Sequence, residues 1–153
     1  MEKILVSACL LGLNCRYSGE RKADERVLGL LDNRDVVLIP VCPEQLGGLA
    51  TPREPAERRG QSVWNRKGED VTGAFCRGAG EALRLAQLYG CTLALLKERS
   101  PSCGSGNIYD GSFTGTVTDG DGVTAELLKK NGIRVVGEGD AEELCRILGG
   151  KRE

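Results

Sequence analysis

The chain has 153 residues, with 21 basic and 22 acidic side chains and an aromatic fraction of 4%. This length suits one domain with its own hydrophobic core, and we expect residues 1–153 to form it. Balanced charge and few aromatic rings argue against a nucleic-acid partner, because such surfaces use basic patches and stacking platforms. No apolar run reaches the roughly 18 residues of a membrane span, and no secretory cleavage site is obvious, which predicts a cytoplasmic protein.

The first half of the chain predicts two buried strands. Continuous apolar character indicates one strand at residues 4–8 and another at residues 36–41, as in a parallel sheet. A short amphipathic helix is predicted between them, at residues 27–31. Residues 43–69 hold most of the prolines and many charges, so we expect a long loop there. Such a loop in a compact domain usually serves function.

The second half predicts alternating helices and strands. Its longest helix spans residues 71–89, with Asp70 as the N-cap, Gly90 at the end and a core stripe at helical spacing that runs from Val71 to Tyr89. Strands that alternate with helices through right-handed crossovers form a doubly wound α/β sheet. The remaining elements are a strand at 92–96, glycine-rich turns after residue 110, a helix at 123–131, a strand at 133–136 and a closing helix at 141–148.

The cysteine and histidine counts restrict the possible chemistry. The chain has seven cysteines and no histidine. Disulfides are rare in the cytoplasm, so metal binding or catalysis is the expected use of many cysteines there. Without histidine, the most common general base and zinc ligand are missing. Any metal must therefore be held by thiolates, with carboxylates as possible further ligands.

Three cysteines follow three of the predicted strands. Cys9, Cys42 and Cys103 each lie where a strand ends and its loop begins. The carboxyl ends of parallel strands form the ligand crevice of an open α/β sheet, so we expect these thiols to converge. Three thiolates form a soft-metal site with one position left open for chemistry. The alternative for each cysteine alone is an inert, buried side chain.

Other residues lie close in sequence to these cysteines. Cys15 follows Cys9 by six positions, and Glu44 follows Cys42 by two, so the Glu44 carboxylate is expected in the same crevice. The alternative for Glu44 is a helix cap or an exposed loop acid. The SPSCGSG turn carries Ser100 beside Cys103 and also resembles an anion nest, although it lacks the P-loop pattern.

The other cysteines are predicted to be structural. No CxxC pair occurs in the sequence, which disfavours zinc-ribbon, thioredoxin-like and ferredoxin sites. A site built from distant loops remains. The cysteines assigned to the structure rather than to the site are Cys76, Cys91 and Cys145.

Five motifs together resemble the bacterial thiouracil desulfidase family. In chain order they are SACLLGLNCRYSG, PVCPEQLGGLATPREPAE, GEDVTGAF, LLKERSPSCGSGNIYDGSFTG and GDGVTAELLKKNGI. The resemblance covers residues 4 to about 136. It implies a Rossmann-like three-layer α/β domain with a mainly parallel sheet of four or more strands.

The resemblance also implies a cofactor and a reaction. Members bind a [4Fe-4S] cluster through three cysteines, which here would be Cys9, Cys42 and Cys103. The fourth iron is free of protein and binds the sulfur of a thio-heterocycle such as 2-thiouracil, which becomes uracil and hydrosulfide without a redox change. Glu44 and Ser100 would be the catalytic residues beside that iron, and Cys15 an accessory residue.

Three other functions are compatible with the sequence. A non-catalytic iron–sulfur or redox-sensing protein would use the same thiolates. A phosphate- or nucleotide-binding module would use the SPSCGSG turn. A sulfur-transfer enzyme acting on RNA is the third, which the balanced charge disfavours.

Overall fold

The structure is a computed structural model that describes residues 1–150. Short 3-10 turns lie at Ala8–Leu11, Gly29–Asp32 and Glu138–Asp140. The prediction of one domain over residues 1–153 extends beyond this range and stays a prediction. In chain order the elements are β1 (Glu2–Ser7), α1 (Glu25–Leu28), β2 (Val36–Val41), α2 (Pro43–Leu46), β3 (Ala56–Arg59), β4 (Ser62–Asn65), α3 (Thr72–Tyr89), β5 (Leu93–Leu96), β6 (Asn107–Tyr109), β7 (Val117–Asp119), α4 (Val123–Lys130), β8 (Arg134–Gly137) and α5 (Ala141–Gly150).

The central sheet has four parallel strands in the order β2–β1–β5–β8. From β1 the chain runs to β2 on one side and later to β5 on the other. The loops after β1 and β5 therefore leave the sheet at a topological switch point, where open α/β sheets bind their ligands.

Helices cover both faces of the sheet, which makes three layers. Leu5 of β1 packs in one core cluster with residues of α3 and α4, and Ile4 packs in a second cluster with residues of α1 and α5. Neighbouring strand residues thus point to opposite faces, and both faces are apolar because both are buried. The predicted Rossmann-like α/β fold is confirmed.

Two segments predicted as irregular contain antiparallel hairpins. The expected loop at residues 43–69 includes α2 and the β3–β4 hairpin, and the glycine-rich turns after residue 110 include part of the β6–β7 hairpin. Their strands have only three or four residues and carry many polar side chains. Such strands lack the apolar run that identifies a buried strand in sequence.

Three local predictions on α3 need correction. Val71, rather than Asp70, is the N-cap residue, although Asp70 Oδ1 accepts a 2.9 Å hydrogen bond from the Thr72 N–H. Tyr89 is 48% exposed, because it lies in the last turn and faces solvent. Cys76 is also exposed, since it points away from the face that buries Phe75. It therefore has no structural role in the core.

Two glycines allow α2 to pack directly on α3. A Cβ built on Gly78 would lie 1.8 Å from the Pro43 carbonyl oxygen, and one on Gly47 would lie 2.0 Å from the Ala74 carbonyl oxygen. Only hydrogen fits in this contact. The close packing fixes α2, whose N-cap residue is Cys42, relative to the rigid helix α3.

Candidate functional site

A cavity of about 430 Å³ lies at the carboxyl ends of β1, β2 and β5. Residues from these strand ends form part of its wall, and the β3–β4 hairpin and the loop after β6 form another part. The polar and aromatic side chains that line it include Cys9, Cys15, Arg16, Tyr17, Cys42, Glu44, Arg53, Glu57, Arg66, Lys97, Glu98, Arg99, Ser100, Cys103, Tyr109 and Phe113.

All three strand-end cysteines line this cavity, and Cys15 joins them. Cys9 lies in the 3-10 turn after β1, Cys42 is the N-cap of α2, and Cys103 lies in the turn after β5. Cys91 and Cys145 pack instead against the two core clusters, as predicted.

Cys15 is hydrogen-bonded to two of the strand-end cysteines. The bonds from its thiol lower the pKa of Cys9 and lower the pKa of Cys42 to about 7. They raise the pKa of Cys15 itself, because its proton stabilises the neighbouring thiolates. The Cys15 carbonyl oxygen lies 3.8 Å from Cys42 Sγ and accepts a 2.9 Å hydrogen bond from Arg53.

Cys103, like Cys15, is buried in the wall of the cavity. Burial raises its pKa to about 12, and hydrogen bonds with Ser7 and Ser102 oppose that rise. A Cβ on Gly122 would lie 2.4 Å from the Ser102 carbonyl oxygen, so the segment before α4 presses against the Cys103 turn. Backbone bonds fasten the two together, from the N–H groups of Gly122, Val123 and Thr124 to the carbonyls of Gly104, Pro101 and Ser102.

Ser100 shapes the same turn. Its Oγ accepts hydrogen bonds of 3.1 Å from the backbone N–H groups of Ser102 and Cys103. The N–H of Gly106 donates to Asp121 Oδ1 at 2.8 Å. The N–H groups of Ser102, Cys103 and Gly106 thus already donate hydrogen bonds within the protein, and one of the acceptors is the Asp121 carboxylate. These bonds and this negative charge weaken the alternative of an anion-binding nest. The Ser100 hydroxyl keeps its own hydrogen for donation.

Glu44 is held by Arg53, a residue that the sequence analysis did not select. The Arg53 Nε donates to Glu44 Oε2 at 2.7 Å, and Nη2 lies 2.5 Å from the same oxygen. Both side chains are largely buried. The negative charge of Glu44 acts to raise the pKa of both Cys42 and Cys103, so the carboxylate is close to both thiols.

A second ion pair brings positive charge to Cys9. Lys97 Nζ lies 2.7 Å from Glu138 Oε2. The other carboxylate oxygen of Glu138 accepts a hydrogen bond from the backbone N–H of Glu98. The positive charges of Lys97 and Arg16 act to lower the pKa of Cys9. Neither residue was expected from the sequence, although Lys97 directly follows β5 and so lies at the crevice edge.

The thiols are not arranged around a single ion. Within the part of the chain that the structure describes, no group of three or more His, Cys, Asp or Glu side chains is placed to hold one metal ion. In a cluster, each cysteine binds a different iron, so its ligands are spread around a larger body. The described residues also include no helix that is long and apolar enough to cross a membrane.

The thiol pKa values predict selective alkylation of the cluster-free protein. Iodoacetamide attacks the thiolate, so labelling of Cys42 should rise with a midpoint near pH 7, whereas Cys103 stays protonated until about pH 12. Peptide mapping by mass spectrometry over about pH 6–9 measures both sites. The Cys15→Ala variant should move the Cys42 midpoint upward. Equal labelling of Cys42 and Cys103 at pH 7 would contradict this assignment.

Fold and site together define an α/β protein with a cysteine-rich cavity at the carboxyl edge of its parallel sheet. Residues 4–140 match the model of the 2-thiouracil desulfurase family. The chain belongs to this family, which confirms the resemblance seen in the sequence motifs.

Two relatives show how far the similarity extends. The protein YbbK of Bacillus subtilis, which is described as uncharacterized, is 45% identical over 151 residues, covering 92% of this chain and 99% of its own. A solved structure titled [4Fe-4S]-dependent thiouracil desulfidase TudS is 47% identical, with a TM-score of 0.86. That match covers 97% of this chain and 99% of TudS.

Proposed function

We propose that this protein is an iron–sulfur-dependent desulfidase that converts 2-thiouracil, or a closely related thio-heterocycle, to the oxo compound and hydrosulfide. The observation that carries the proposal is the cavity, which brings four cysteines together with Glu44 and Ser100. The family match and the similarity to TudS over nearly the whole of both chains support the same reaction.

The donor set fits a [4Fe-4S] cluster with three cysteine ligands. The cavity offers thiols, and iron–sulfur clusters are held by thiolates. Cys9, Cys42 and Cys103 are the proposed ligands, since each follows a different strand of the same sheet edge. Cys15 is the proposed accessory residue, because its thiol stabilises the thiolates of Cys9 and Cys42.

The reaction replaces a C=S bond by a C=O bond and changes no oxidation state. When bound, the cluster supplies a Lewis-acidic iron that attracts the soft thiocarbonyl sulfur. The Glu44 carboxylate takes a proton from the water whose oxygen forms the new bond to the ring carbon. Glu44 or the Ser100 hydroxyl then delivers a proton as the C–S bond breaks. Uracil and hydrosulfide are the products.

The proposed partner is a small thiopyrimidine or a related thio-compound, and the proposed location is the cytoplasm. A site built from thiolates supports this location, because cysteines stay reduced in the cytoplasm. The balanced charge of the chain gives no support to an RNA substrate.

Anaerobic reconstitution tests the proposal. We expect iron and sulfide to give a protein with cluster absorbance that releases uracil and hydrosulfide from 2-thiouracil. Cys9→Ser, Cys42→Ser and Cys103→Ser should each lower cluster content and abolish turnover, whereas Cys76→Ser, at an exposed position of α3, should change neither. A cluster without turnover would favour the redox-sensing alternative. No cluster at all would refute the proposal.

A further inference from the structure

We infer that Phe113 forms the surface on which the planar ring of the substrate stacks, and that Glu57 is the positioning residue that holds it there. Both residues line the cavity that contains the cysteines. The inference rests on the proposed function, because it requires a planar heterocycle as the ligand.

The backbone of Phe113 is strained. Its φ is +58°, a region that glycine adopts readily and bulky residues rarely do. Among residues 1–150 only Arg99, with φ +64°, shares this feature without being glycine, and it also lines the cavity. Such strain persists only where the surroundings impose it, and it concentrates at ligand clamps and active sites.

The β3–β4 hairpin imposes this conformation. Glu57 Oε1, on β3, accepts hydrogen bonds from the Gly111 N–H at 2.9 Å and from the Phe113 N–H at 3.1 Å. Arg59 Nε donates to the Gly111 carbonyl oxygen at 2.8 Å. A Cβ on Gly111 would lie 2.3 Å from Arg59 Cγ, so the loop is also packed tightly against the hairpin.

The ring of Phe113 is positioned by a cation rather than by the hydrophobic core. The Arg66 guanidinium carbon lies 6.0 Å from the ring centroid, in a cation–π contact. Phe113 belongs to neither core cluster and is half-buried, and its neighbours Ser112 and Thr114 are exposed. Core packing therefore does not account for a strained aromatic residue here, whereas contact with a ligand in the cavity does.

Two ligands that differ in planarity can distinguish a stacking role of Phe113 from a purely structural one. Uracil and 5,6-dihydrouracil present the same carbonyl and N–H groups, but only uracil is planar and able to stack. Their dissociation constants can be measured by anaerobic calorimetry on the cluster-loaded protein. We expect the wild-type protein to bind uracil about tenfold more tightly than dihydrouracil, the usual scale of one base–aromatic stack.

Substitutions of Phe113 should remove that preference selectively. Phe113→Ala should weaken uracil binding about tenfold and leave dihydrouracil binding nearly unchanged. Phe113→Gly removes the ring and also relieves the backbone strain, so it provides a folded variant if the alanine protein is unstable. Phe113→Tyr should keep the preference. The control is Tyr89→Ala, which removes an exposed aromatic ring outside the cavity and should change neither constant.

The role of Glu57 is tested in the same assay. Glu57→Ala removes the acceptor of the Gly111 and Phe113 N–H groups and should lose the preference for uracil, as Phe113→Ala does. Glu57→Gln keeps an acceptor oxygen and should therefore keep the preference for uracil. A wild-type protein that turns over 2-thiouracil without preferring uracil would overturn this inference alone. An equal loss of both ligands in Phe113→Gly would overturn it as well. A protein that does not turn over 2-thiouracil would overturn the proposed function instead.

Discussion

Replacing Glu44 by glutamine is expected to preserve cluster absorbance and to lower 2-thiouracil turnover by about 10²–10⁴-fold, the usual contribution of a positioned general acid or base. The amide keeps the size of the side chain and an acceptor oxygen for Arg53, so the geometry of α2 should persist. It cannot take a proton from water. Turnover and absorbance are measured on the same reconstituted sample.

Glu54→Gln is the matched control for this change. Glu54 is also an ion-paired carboxylate, since it lies 3.5 Å from Lys67, but it does not line the cavity. Its substitution should leave turnover within about twofold of wild type, as for a surface pair worth less than about 1 kcal/mol. Full activity in Glu44→Gln would remove this carboxylate from the mechanism and leave Ser100 as the candidate proton donor.

Replacing Gly78 by alanine is expected to lower the free energy of unfolding by about 1–3 kcal/mol or more, because the new methyl group cannot fit against the Pro43 carbonyl oxygen. To relieve the clash, α2 must move, and Cys42 and Glu44 must move with it. We therefore expect a lower melting temperature together with poor cluster loading. Thermal unfolding and iron content measure the two effects.

Gly80→Ala separates this clash from the general effect of alanine in a helix. Gly80 lies in α3, where an added Cβ would meet no atom within 4 Å other than the nearby backbone of the helix itself. Alanine is favoured over glycine inside a helix by about 0.8–1.0 kcal/mol, so this variant should be slightly more stable than wild type. If Gly78→Ala behaved in the same way, the direct packing of α2 on α3 would not be essential.

The sheet and the convergence of the cysteines could be predicted because both follow from one simple pattern. Strands buried on two faces need continuous apolar runs, and the runs that end near Cys9, Cys42 and Cys103 are visible in the sequence. Parallel strands then bring their carboxyl ends to one edge. The structure places all three cysteines, with Cys15, Glu44 and Ser100, in the wall of one cavity at that edge.

The outer wall of the cavity could not be predicted, because long-range polar contacts build it. The β3–β4 hairpin has few apolar residues, and Arg58 joins it to α4 through a 2.7 Å contact with Glu126. Arg53 and Lys97 find their carboxylate partners 9 and 41 residues away. No spacing pattern in the sequence indicates such distant ion pairs. Phe113 is marked by its positive φ and by its contacts with Glu57 and Arg66, and these features are visible only in a structure.

The way the Cys103 turn is fastened has a consequence for how the protein matures in the cell. The turn is hydrogen-bonded to the segment at residues 122–124, which leaves the ribosome after all the proposed ligands. A nascent chain that stops before that segment already contains all three cysteines, but it lacks the backbone bonds that tie the Cys103 turn to the start of α4. On the proposed ligation, the three cysteines therefore reach their final arrangement only after residues 122–124 have been synthesised and have packed against the turn.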